Sequence, residues 1–362
     1  MKTSFARFLS LTSPVGVFAL ALLLSGNISQ AADALSVTGV QGVKDYLLGM
    51  EAKMDAATDD FAQKSAEYQK IIESYNGDYA AALKGDRENI LKLVKGMRDD
   101  YMATDSFGYE RIEGIVAGVE KLADFDVYLD SGVPKDQASK DTPAAPTTFA
   151  LKDGKVISGE GCTFTYLIEP TLWGKNKKHI VPVAVGGDGS QAAKDSLPEA
   201  NFIAAAGADM DKKMDELVAA SKAWNPTQED CFNAVVTMTP TLSGYFDDWK
   251  ASRYDKDRSG LFSAVSRVSD MQGIMESVSL TYSAVDPSVA AKDPALSKTI
   301  KQGFADIMVF VEKVGAREKK KGGELTVAEI EELHNQAQGK SDKLVPQVEQ
   351  AAALVGVKVS AN

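Results

Sequence analysis

The chain has 362 residues, with 51 acidic against 40 basic side chains, a formal net charge of −11, and only two cysteines and two histidines. The acid excess argues against nucleic acid and anionic membrane surfaces as partners and is compatible with cations. Two histidines exclude a histidine-rich zinc or copper site, and the separation of Cys162 from Cys231 excludes a CxxC centre.

Residues 1–31 read as an export signal. Lys2 and Arg7 precede an apolar run over 15–24, and Ser29 and Ala31 supply the small residues of a cleavage site. That run is too short for a membrane span, which takes about 20 residues. Cleavage before Ala32 is expected to leave a periplasmic or secreted helical domain over 32–362 with no membrane span. Val43, Leu47, Met50, Met54, Ala57, Phe61, Ser65, Tyr68, Ile72 and Tyr75 then recur at spacings of three and four, the seam of a long bundle helix. Asn76-Gly77-Asp78 ends it. A second helix is predicted over 86–101, capped by Asp86. A third begins near Tyr109, with Glu110, Glu113 and Glu120 on one stripe opposite Ile112, Val116 and Val119, and runs into Asp124, Asp126 and Asp130.

Residues 131–161 read as an insertion, with Pro134, Pro143 and Pro146 and a hairpin predicted over 147–158 around Asp153-Gly154. Residues 186–198 read as a second polar loop. Further helices are predicted over 208–223, 231–252, 261–283 and 296–317. The last starts at Thr326, where Thr326 and Glu329 form a capping box. The fold class is therefore all-α, two-lobed helical bundles with a small β-hairpin insertion. In an oxidising compartment Cys162 and Cys231 are expected to form a disulfide worth roughly 4 kcal/mol.

Glu110 and Glu113 stand three apart, a helical spacing that lets both reach one cation, and Tyr166 and Glu169 share it. Carboxylate and phenolate oxygens suit iron, calcium, magnesium or manganese better than copper or zinc. The same acids equally fit a solvated helix face, and Tyr166 a packing residue. Asp255, Asp257, Ser259 and Gly260 match four positions of an EF-hand loop, but Ser266 stands where that loop needs a bidentate Glu, so a turn capping the next helix is the better reading. H-E-x-x-H and G-x-S-x-G are both absent, and a non-enzymatic protein is expected.

Several stretches together carry a family resemblance. YERIEGIVAGVEKLADFD over 109–126 resembles a YERIEP-rich segment that ends in an acidic run. TYLIEPTLWG over 165–174 falls where the family has G-x-H-x-x-E and Leu-Trp-Gly, with Phe164 for Gly, Tyr166 for His, and Glu169 kept. SGYFDDWKASR over 243–253 places Asp247 and Asp248 where two acids are expected, and 325–357 resembles the C-terminal helix. Together these stretches resemble the imelysin-like family, above all the EfeO-type proteins of periplasmic iron uptake, whose helical part is expected here without their cupredoxin domain. Pro170 directly after Glu169 requires a helix that starts late or kinks there. The resemblance implies a metal-binding protein that captures iron, ahead of calcium, for an inner-membrane iron permease system. Its implied ligands are Glu110, Glu113, Tyr166 and Glu169, with Asp247 and Asp248 as second candidates. The alternative is a non-enzymatic binding or interaction module for a polyanion, sugar or protein, with a degenerate metal site.

Overall fold

The computed structural model describes residues 35–140, 142–186, 194–255, 258 and 260–359. The expected signal segment, its cleavage site, residues 187–193 of the second loop, and Lys256, Asp257 and Ser259 lie outside the described residues. Helix α1 (Gly39–Ser74) carries a seam of Val43, Leu47, Glu51, Met54, Thr58, Phe61, Ser65, Tyr68 and Ile72, all buried. The rhythm is the predicted one, but it passes through Glu51 and Thr58 rather than Met50 and Ala57. Glu51 is accommodated because the Ser221 hydroxyl donates to it at 2.5 Å, while burial pushes its carboxyl up to about 7.

Helix α2 (Tyr79–Thr104) starts earlier than its pattern suggests. Asp78 caps it by accepting from the Ala80 and Ala81 amides, and Asp86 is a kink within the helix rather than its cap. Both α1 and α2 form a first bundle with α6 (Ala200–Ala223). A second bundle comprises α7 (Gln228–Met238), α8 (Thr241–Tyr254), α9 (Arg267–Lys292), α10 (Pro294–Lys320) and α11 (Val327–Val355). The single helix predicted over 231–252 divides into α7 and α8 at Thr239-Pro240, and Ser266 is the N-cap of α9. The Thr326–Glu329 capping box of α11 is present. α1 packs on α9, and one hydrophobic core runs through both bundles.

Between the bundles the chain is broken into short pieces. A 3-10 turn (Tyr109–Arg111) leads to α3 (Glu113–Val116) and α4 (Ala123–Asp126), then a π-helical turn (Val127–Ser131). A second π-helical turn (Thr163–Ile168) precedes α5 (Glu169–Leu172), where Pro170 sits in the first turn and sacrifices no helical bond. The continuous helix expected from Tyr109 is not formed. Strands β1 (Thr148–Ala150) and β2 (Val156–Ser158) pair antiparallel, Phe149 opposite Ile157, as the predicted hairpin. A second pair, β3 (Ile180–Pro182) with β4 (Ser196–Pro198), replaces part of the expected loop. Among the described residues no helix is long and apolar enough to cross a membrane.

The expected disulfide is absent: Cys162 and Cys231 are both buried free thiols. The Cys162 thiol donates to the Asp130 carbonyl at 2.6 Å, and the turn that follows it packs on residues 127–131, α5 and α6. Cys231 lies in the first turn of α7, which packs instead on α3, α8, α9 and α11.

Candidate metal centre

The broken segment is pressed into the body by two glycines. A Cβ at Gly114 would stand 2.5 Å from Ser277 Oγ, and one at Gly118 would stand 2.6 Å from the Cα of Ala234. These close approaches to α9 and α7 carry the flanking acids inside. Glu110 and Glu113, which fitted an exposed stripe, are 2% and 3% exposed, and only Glu120 of that stripe faces solvent. Asp105 at the end of α2, Asp126 at the end of α4, Asp130 in the π-helical turn, Glu169 at the start of α5 and Asp270 in the first turn of α9 are buried as well.

Two groups of three carboxylates result, Asp105 with Glu110 and Asp130, and Glu113 with Asp126 and Asp130. In each, one oxygen per residue lies within 4.8 Å of the others. Asp130 belongs to both. The acids are held by hydroxyl donors: Thr165 to Asp130 at 2.6 Å, Tyr109 to Asp126 at 2.9 Å, and Tyr245 to Glu113 at 2.9 Å. Arg267 enters the cluster, with Nη1 at 3.3 Å from Glu110 and 3.5 Å from Asp270. The rings of Tyr245 and Phe262 each lie 4.5 Å from its guanidinium.

Seven carboxyl groups in such a space resist ionising together. Burial, then the charges of Asp126 and Asp130, hold Glu113 well above the usual carboxylate range. Burial, then Asp270 and Glu113, do the same to Glu110, with Arg267 opposing. Burial raises Asp126 and Asp270 to about 7 and Glu169 to about 8. Among the described residues four buried oxygens of the cluster, Asp105 Oδ1, Glu110 Oε2, Glu113 Oε2 and Asp270 Oδ1, have no hydrogen-bond donor. Buried acceptors are rarely left so. Converging hard oxygens in surplus over donors fit a hard cation.

A cavity of about 640 Å³ opens onto this cluster, lined by Glu113, Asp126 and Asp130 and also by Tyr166, Asp247 and Asp248. The six sequence-derived candidates therefore separate. Glu110 and Glu113 join the carboxylate groups, one in each. Tyr166 lines the cavity, its phenol raised by burial and opposed by nearby Arg258. Asp247 and Asp248 are at its exposed rim, paired with Lys250 and His334, and with Arg258. Glu169 uses both oxygens on the amides of Phe262 at 2.9 Å and Ala264 at 2.6 Å.

Asp105, Asp126, Asp130 and Asp270 complete the cluster but were not among the candidates. Asp126 and Asp130 were visible as the last acids of the run after Tyr109. Asp105 closes an ordinary amphipathic helix, and Asp270 lies in a helix buried on most of its circumference, so neither has a distinguishing local pattern.

Comparison with curated proteins finds no match. The family model described as Imelysin, Peptidase M75, matches residues 109–354, from the first acid-bearing turn to the last helix. The chain belongs to the imelysin family.

Proposed function

We propose that this protein is a non-enzymatic, exported binding protein that captures a hard cation, iron foremost, on the Asp130-centred carboxylates and passes it to an inner-membrane iron permease system. The carrying observation is the pair of carboxylate groups that share Asp130, with buried oxygens of Glu110 and Glu113 left without donors. A cation would take those oxygens and remove the repulsion that holds protons on the acids. Binding then releases protons, and affinity rises with pH. The resemblance of residues 109–126 to the EfeO-type segment favours iron, and the all-oxygen donor set suits hard cations as a class. Asp247 and Asp248 at the rim supply negative charge along the approach.

Titration calorimetry on wild type and Asp130→Asn with iron, manganese and calcium salts tests the reading. Asp130→Asn should bind about 10–100-fold more weakly, judged from the cost of losing supporting ligands, or roughly 1.4–2.8 kcal/mol. Wild type that shows neither saturable binding nor a thermal shift with any of the three would overturn it. A binding or interaction module with a degenerate site would then be the better account.

A further inference from the structure

The cavity is larger than an ion needs. Six waters around a cation occupy roughly 180 Å³, at about 30 Å³ each, against about 640 Å³ here. Its lining also holds cationic donors that the acids leave unused. Arg267 is 4% exposed, yet among the described residues its Nε–H has no acceptor. Only its Nη1 reaches Glu110 and Asp270, at distances long for charge-assisted bonds. Arg258 gives Nη2 to Asp248 at 3.0 Å and keeps a buried Nε–H that has no acceptor among the described residues. An ion trap made of carboxylates alone requires neither donor. A buried charged donor left unmatched is costly, and the guanidinium fork matches carboxylate oxygens.

We propose that the cavity takes its cation together with a small organic polycarboxylate, the cation on the Asp130 groups and the anion's carboxylates on the Nε–H groups of Arg258 and Arg267. This rests on the cation-binding reading above. Charge sets the coupling: a free polycarboxylate meets the field of the buried acids, whereas a bound cation reverses that repulsion. Each ligand therefore tightens the other by the same factor.

Equilibrium dialysis of the full chain with labelled citrate, with and without ferric iron, reads this directly, alongside binding of manganese chloride alone. Citrate should be retained at least about tenfold better with iron than without. Arg258→Gln, at a partly exposed side chain, should cost about tenfold in citrate retention and leave manganese binding within about twofold. Manganese binding with no iron-dependent citrate retention, or citrate retention unchanged in Arg258→Gln, overturns the polycarboxylate and leaves the cation site standing. Absence of manganese binding as well overturns both.

Discussion

Glu169 and Glu113 are both buried acids, but they do opposite things to the fold. Glu169 accepts two backbone amides, one of them from Phe262, whose φ of +51° places it in the left-handed region that side chains disfavour. It braces the turn that leads into α9 and brings the Phe262 ring against Arg267. Glu113 accepts one hydroxyl and faces Asp126 and Asp130. Removing Glu169 orphans two amides at about 1–3 kcal/mol each. Glu169→Ala is therefore expected to lower cation-free stability by about 2–4 kcal/mol in urea denaturation, whereas Glu113→Ala leaves it unchanged or higher and weakens cation binding. Equal losses for both variants would show that Glu169 has no bracing role. Equal spacing made Glu113 and Glu169 look alike as ligand candidates, and they differ because the two amides on Glu169 come from a loop distant in the chain.

Among the elements, the short acid-bearing segment depends on glycine. Gly118 meets the backbone of α7, which cannot swing aside as a side chain end would, so Gly118→Ala should cost about 1–3 kcal/mol. Gly49 in α1 and Gly339 in α11 have nothing within 4 Å of a built Cβ, and alanine there should add about 0.5–1 kcal/mol. Thermal denaturation of the three variants checks the contrast, and a neutral Gly118→Ala would remove close approach as the reason the segment is buried. The same glycines explain why this element was the least legible. Hydrophobic spacing alone made 109–120 an amphipathic helix with its acids in water, since Gly114 and Gly118 fell among the polar positions. The long seam of α1 and the capping box of α11 were legible because each is a local pattern. Even in α1, polar Glu51 and Thr58 were passed over for the apolar neighbours Met50 and Ala57.

For the whole molecule, buried acids set the response to pH. Glu51, Asp126 and Asp270 titrate at about 7 and Glu169 at about 8, against ordinary values of 3.8 to 4.5. An acid with a raised folded pKa binds more protons in the folded state, so its stabilisation is complete below about pH 4 and is lost as pH rises through its folded value. Glu160, Glu216 and Glu329, whose values their cationic neighbours lower, act in the opposite sense below about pH 4.5, and His179, whose imidazole burial lowers, does so below about pH 6.5, one group against four. The cation-free protein should thus melt at a higher temperature at pH 5.5 than at pH 8.5, with saturating manganese closing the gap. A melting temperature that climbs across this window without cation would contradict the cluster's electrostatics. Helical bundles could be read from the chain because they repeat every few residues. The meeting of Asp105 with Asp130, or of Arg267 with Glu110, could not, because such long-range meetings leave no local trace.

Asp130 is common to both carboxylate groups, and this governs stoichiometry. Two ions sharing one carboxylate stand about 3.5–4 Å apart, where two divalent charges repel by more than about 10 kcal/mol even at an effective dielectric constant near 20. The first ion to arrive therefore penalises the second. Binding should saturate at one equivalent at low cation concentration, with any further uptake strongly anticooperative. Two equivalents taken up with equal affinity would mean that the groups act as separate sites. On the proposed reading as a cation carrier, one tightly held ion per molecule makes loading an all-or-none event, and Asp130, common to both groups, is the side chain whose displacement would disturb the ion in either.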